Sequence, residues 1–251
     1  MQSFFHDRLE IAFIDEGEGD PVLLIHGFAS THLVNWVSPG WVKTLRDAGY
    51  RVIALDNRGH GRSSKSHEPQ DYTPEKMAGD AAALLAHLGI VRAHVMGYSM
   101  GARIAAFLAL GHPDLPVTLV FGGLGIGMVE GVGDWDAIAD ALLAEDPDSI
   151  GHERGRMFRA FADQTKSDRH ALAACISTSR TLLTPEQVSE ITVPTLVAVG
   201  TNDDIAGAPE PLAQMLPHGE AFAVEGRDHM LSVGDRTFKA RVLDFLKEHA
   251  L

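Results

Sequence analysis

Gly97-Tyr98-Ser99-Met100-Gly101 lies between an apolar run, residues 94–96, and an alanine-rich helical pattern at 102–110. A G-x-S-x-G pentapeptide in that setting reads as a tight strand-to-helix turn, a nucleophile elbow, with the serine at its apex. Glycines are required on either side because a Cβ there would meet the neighbouring backbone. The turn lifts the Ser99 hydroxyl above a sheet edge and turns the Met100 amide toward the same space, at the positive end of the following helix. The pentapeptide alone is a weak signal, so the surrounding pattern decides.

Outward from the elbow, short β-type runs alternate with helical ones. Residues 9–14 alternate like a half-buried strand, expected to pair antiparallel with 3–5 through a turn at His6-Asp7-Arg8. The runs 22–25, 51–55, 94–96 and 118–121 are almost wholly apolar, as suits strands buried on both faces of a parallel sheet. Helical patterns fall between them at 42–48, 74–88 and 102–110, the second opened by Thr73 as N-cap and Pro74 at the first position. Strands at 193–199 and 221–224 and a closing amphipathic helix at 238–247 continue the series. This is the pattern of a mostly parallel, doubly wound α/β sheet. It breaks at the glycine run 122–127, read as flexible, and at three helical patterns, 135–143, 153–161 and 168–183. Because the sheet then resumes, residues 125–190 are expected to form a small helical cap over the carboxyl edge, inserted before the last two strands. Residues 1–124 and 191–251 form the core.

Composition narrows the partners. The 251 residues, 45% hydrophobic, suffice for one large domain with a full core. Thirty-four acidic side chains against 21 Lys and Arg, a formal charge of −13, argue against a nucleic-acid partner or an anionic membrane surface. No signal-like or membrane-spanning stretch is evident, so a cytoplasmic location is expected. The lone Cys175 sits in a helix-like run and reads as a buried structural thiol.

Taken together these residues resemble the α/β-hydrolase superfamily, and most closely its small, cap-bearing, carboxylesterase-like members. The resemblance rests on the elbow, on His26-Gly27-Phe28, on the stretch from Asp56 through Arg58 and His60 to Ser63, on Gly200-Thr201-Asn202-Asp203 and on Gly226-Arg227-Asp228-His229. Asn57 departs from the residue many members carry. The likeness implies an α/β-hydrolase fold and a nucleophile, acid and base in the chain order Ser, Asp, His. His218, His229 and His249 follow both Ser99 and strand 193–199; His218 lies in a turn and His249 near the carboxyl end, which leaves His229 as base. The family spacing Gly-x-x-Asp selects Asp203 over Asp204 as the orienting acid. The amides of Phe28 and Met100 are the implied oxyanion donors, Gly27 letting the backbone curl toward Ser99. His26 is expected to hold its loop, and Asp56, Arg58 and His60 to tie loops together.

The function that the resemblance implies is hydrolysis of a small neutral carboxylic ester through an acyl-enzyme, with no metal and no cofactor. Lactone, peracid or carbon–carbon bond chemistry, or a ligand-sensing receptor, could use the same residues. Tyr98 is expected on the site floor, and Trp36, Trp41, Met128, Trp135, Met157, Phe158 and Phe161 are candidate wall residues.

Overall fold

A computed structural model describes residues 1–131, 133 and 135–251. In chain order the elements are β1 (Gln2–His6), β2 (Leu9–Glu16), β3 (Pro21–Ile25), α1 (Trp41–Asp47), β4 (Arg51–Leu55), α2 (Pro74–His87), β5 (Ala93–Tyr98), α3 (Met100–Gly111) and β6 (Pro116–Gly122). There follow α4 (Gly127–Glu130), α5 (Asp136–Leu143), α6 (Glu153–Gln164), α7 (Arg169–Thr178), α8 (Pro185–Ser189), β7 (Thr195–Gly200), α9 (Pro209–Met215), β8 (Gly219–Val224), α10 (His229–Ser232) and α11 (Arg236–Glu248). The eight strands form one sheet in the order β1-β2-β4-β3-β5-β6-β7-β8. β1–β2 and β2–β4 pair antiparallel, and every pair from β4–β3 to β7–β8 is parallel. The turn between β1 and β2 carries Asp7 and Arg8 at φ 49° and 62°, a left-handed pair that suits the twist of a two-residue hairpin.

Period-two alternation gives the sheet two apolar faces. Leu23, Ile25, Ile53, Leu55 and Val95 pack with α2 and α3; Val22, Leu24, Val52, Ala54 and Met96 pack with α1 and α11. Trp36 and Trp41 belong to this second face, fully buried, with the Trp41 indole N–H donating to the Val233 carbonyl at 2.6 Å. No helix among the described residues is long and apolar enough to cross a membrane.

The stretch between β6 and β7 holds α4 to α8. Its own small core, Ile138, Leu142, Ala162, Leu172 and Ala173, closes on Ala29 of the loop after β3, so the insert is rooted at the carboxyl edge of the sheet. The glycine run expected to be flexible is tied down instead. Gly123 N–H donates to the Ala198 carbonyl, and Gly125 and Gly127 N–H both donate to that of Ala206, at 2.8 to 3.1 Å. The helix expected over 168–183 begins at its Asp168 cap but stops at Thr178, because tertiary partners draw off the following backbone. The Thr181 carbonyl accepts from Arg103, and Leu183 N–H donates to the Met128 carbonyl.

The loop after β4 is anchored by an ion pair buried at both ends. Arg58 Nε and Nη2 donate to the two carboxylate oxygens of Asp80 at 2.7 Å each, Nη1 donates to the Asp71 carbonyl at 2.8 Å, and both side chains are 1% exposed. A bidentate pair of this kind fixes geometry, and removing one partner strands a buried charge. Asp80→Ala is therefore expected to lower unfolding stability in urea by about 3–5 kcal/mol. A loss below about 1 kcal/mol would mean that Arg58 is not held as described.

Candidate active site

β5 ends at Tyr98 and α3 begins at Met100, so one residue makes the whole turn. Ser99 takes it at φ 54°, ψ −115°, a strained conformation for a residue with a side chain. Both flanking glycines are needed by contact. A Cβ on Gly97 would overlap the Gly101 carbonyl, and one on Gly101 would overlap the Ile25 carbonyl at the end of β3. Ser99 N–H donates to the Gly122 carbonyl of the neighbouring strand at 2.8 Å, which fixes the apex to the sheet.

The loop after β3 runs beside this turn: a Cβ built on Gly27 would lie 3.1 Å from the Tyr98 carbonyl and 3.4 Å from Ser99 Cβ. The curl falls two residues later than expected from the sequence, at buried Ala29 with φ 58°. Two histidines hold it. His26 Nε2 accepts from Asn57 N–H at 2.9 Å, and its Nδ1 lies 2.8 Å from the Gly27 carbonyl. His60 Nε2 accepts from Ala29 N–H at 3.1 Å, and its Nδ1 lies 2.9 Å from the Arg58 carbonyl. Each ring is an acceptor on Nε2 and a donor on Nδ1, which is the neutral form. Burial agrees with this, pushing His26 down to about 4 and His60 to about 3. Asp56 ties the same loops, accepting from His32 N–H and Nδ1 and from Arg62 N–H. The amides of Phe28 and Met100 find no acceptor among the described residues, and both residues line one cavity with Ser99.

Asp203 and His229 meet on the same edge. Asp203 follows β7, its carboxylate wholly buried; Oδ1 accepts from Ile205 and Ala206 N–H at 2.8 and 3.0 Å, and Oδ2 lies 2.8 Å from His229 Nδ1. Against a carboxylate Nδ1 is the donor, leaving Nε2 free to accept a proton. Asp204 points away, 81% exposed and 3.4 Å from Arg154. His229 is the first residue of α10, capped by Asp228, whose carboxylate accepts from Met230 and Leu231 N–H. The Tyr98 hydroxyl donates to the His229 carbonyl at 2.6 Å, and burial pushes that phenol above the ordinary tyrosine range, so it stays a donor. His218 stays in the turn before β8, and His249 meets Phe245 edge to face, both away from the cavity.

The cavity, about 380 Å³, opens between the sheet edge and the insert. Tyr98, Phe28, Trp135, Met157, Phe158 and Phe161 line it, with Phe28 and Phe158 rings 5.5 Å apart. Trp36, Trp41 and Met128 do not. The two tryptophans are spent beneath the opposite face of the sheet, and Met128 is 0% exposed in the core under α3, its carbonyl taken by Arg103. Cys175 is a core thiol, 3.7 Å from Met100 Sδ and pushed up to about 12 by burial. Sequence reading missed two cationic wall residues, Arg103 and Arg180, and two buried polar atoms without partners in the wall, Asn35 Nδ2 and Ser179 Oγ. Arg103 was legible as the fourth residue past Ser99, one helical turn away and so near the same mouth.

The family model described as the alpha/beta hydrolase fold matches residues 20–149. Epoxide hydrolase B of Mycobacterium tuberculosis is 36% identical over 117 residues, 43% of this chain, and the chain spans only 31% of that protein's length. Among solved structures, a hydrolase from Pseudomonas aeruginosa PA01 superposes with TM-score 0.79 at 26% identity, covering 98% of this chain and 97% of that one. An esterase from Exiguobacterium antarcticum superposes with TM-score 0.79 at 20% identity, over 95% and 96%. With the family model spanning more than half of the sequence and the sheet, elbow and insert described above, the chain belongs to the alpha/beta hydrolase family.

Proposed function

We propose that this protein is a serine hydrolase that cleaves a small carboxylic ester, with Ser99 as nucleophile, His229 as base and Asp203 as the residue that orients it. The observation that carries the reading is the buried Asp203–His229 contact, 2.8 Å, facing the cavity that Ser99 also lines. His229 takes the Ser99 proton as the oxygen attacks the ester carbonyl, and the unpartnered amides of Phe28 and Met100 receive the oxyanion. The protonated imidazole then gives its proton to the departing alcohol. Water repeats the cycle on the acyl-enzyme and frees the acid.

The chemistry of a serine nucleophile favours acyl over epoxide substrates. Attack of Ser99 on an epoxide carbon would leave an ether on the enzyme, with no carbonyl for water to attack. An ester leaves an acyl group that the same oxyanion donors help to clear.

Ser99→Ala is expected to abolish labelling by a fluorophosphonate probe and to lower turnover of an activated ester by about 10⁴-fold or more. Persistent labelling would exclude Ser99. Asp203→Asn should cost about 10⁴-fold in kcat, since the amide favours the wrong imidazole tautomer, whereas Asp204→Asn should leave turnover near that of the parent. Equal losses would refute the role given to Asp203. With the insert closing over a cavity of about 380 Å³, nitrophenyl butyrate should be hydrolysed faster than nitrophenyl palmitate; the reverse order would require a different acyl channel.

A further inference from the structure

The cavity carries a charge opposite to that of the chain around it. Acidic side chains outnumber Lys and Arg by 34 to 21, and Arg51, Arg58 and Arg159 each face an aspartate. Two arginines lining the cavity do not. Arg103, in the first turn of α3, is 3% exposed and spends its guanidinium on the carbonyls of Gly127, Met128 and Thr181. Arg180, just beyond α7, lies with its guanidinium 3.5 Å from the centroid of the Trp135 ring. Among the described residues it has neither a carboxylate nor a hydrogen-bond acceptor. Beside it Ser179, which lines the same cavity, is buried, and its hydroxyl has no partner.

A cation withdrawn from water without a counterion is unfavourable, and a second cation nearby makes it more so. The two groups register this. Burial lowers Arg103 to about 10; burial, then repulsion from Arg103 and Arg154, lowers Arg180 to about 9. Stacking on an indole occupies one face of a guanidinium and leaves its N–H edge free, the arrangement suited to bidentate capture of a carboxylate. Carbonyl acceptors already occupy Arg103, so it contributes field, while Arg180 and Ser179 contribute open donors.

Resting on the esterase reading above, we infer that Arg180, Ser179 and Arg103 form a carboxylate subsite, so that the substrate is an ester bearing a second, ionised carboxylate remote from the scissile carbonyl. This replaces the neutral ester expected from the sequence with a mono-anionic one. The apolar wall of Phe28, Phe158 and Phe161 then holds the chain between the two polar ends.

Two matched pairs test it: 4-nitrophenyl hydrogen adipate against its methyl-capped diester, and 6-acetoxyhexanoate against its methyl ester. In at least one pair the anion should have kcat/KM about 10- to 100-fold higher, the range of a charge-assisted hydrogen bond. Arg180→Gln should bring that ratio near one, chiefly through KM, Arg180→Lys should recover part of it, and Ser179→Ala should lower it about fivefold. Preference for the neutral ester in both pairs, or a ratio unchanged in Arg180→Gln and Ser179→Ala, would overturn the subsite. Calorimetric titration of the Ser99→Ala protein with monomethyl adipate separates this from the ester reading. Binding that weakens about tenfold or more in the Ser99→Ala/Arg180→Gln protein supports the subsite even if no ester is turned over, and binding indifferent to Arg180 refutes it.

Discussion

The backbone crossing at Ser99 is the constraint on which the site depends. A residue with a side chain is held at φ 54°, ψ −115°, a state that costs about 1–3 kcal/mol unless its surroundings enforce it. The enforcement is contact between main chains. α3 leaves the sheet so steeply that Gly101 rests on the end of β3 and Gly97 on Gly101, leaving no room for a Cβ at either place. The Ser99 amide is meanwhile fixed to β6. Because β3 ends against the same helix, the loop carrying Phe28 must emerge beside the serine. One close approach thus sets both the position of the hydroxyl and the route of the chain expected to serve it.

That loop is stabilised by rings kept neutral. His26 and His60 each accept a main-chain N–H through Nε2, a role that an imidazolium cannot fill, and their burial keeps protons off well below neutral pH. His60 is held in turn by the segment that Arg58 and Asp80 anchor. The ion pair that ties this segment to α2 therefore supports the curl at Ala29 through one intermediate, His60. His229 differs in its partner. Its Nδ1 faces the Asp203 carboxylate at 2.8 Å, where His26 and His60 each face a main-chain carbonyl.

The sheet was legible because its signals are local: apolar runs for strands buried on both faces, Thr73-Pro74 for the start of α2, glycines flanking Ser99 for the turn. The pairing of Asp203 with His229 was legible through the chain order and the Gly-x-x-Asp spacing that the family resemblance implies, and both residues follow strands whose carboxyl ends share one edge. Wall residues were harder. Trp36 and Met128 have the apolar character of a binding wall and of a core alike, and which they join depends on packing between elements far apart in sequence. The glycine run 122–127 misled for a related reason. Glycine permits flexibility, but it also permits the main chain of β7's following loop to approach within hydrogen-bonding distance, and that contact prevails here.

Arg103 and Arg180 escaped for the opposite reason, since a charged residue on a helical pattern is ordinarily a solvated one. Their meaning appears only when α7 ends at Thr178 instead of continuing to 183. The chain then leaves the helix, Arg103 binds the Thr181 carbonyl, and Arg180 lies against Trp135. Had α7 run on to residue 183, the Leu183 N–H would have bonded the Ser179 carbonyl and lost that of Met128. The elbow, built from main-chain contacts within the sheet, fixes where Ser99 stands; α3 and the insert bring Arg103 and Arg180 to the wall of the same cavity, the two cations on which the proposed subsite rests.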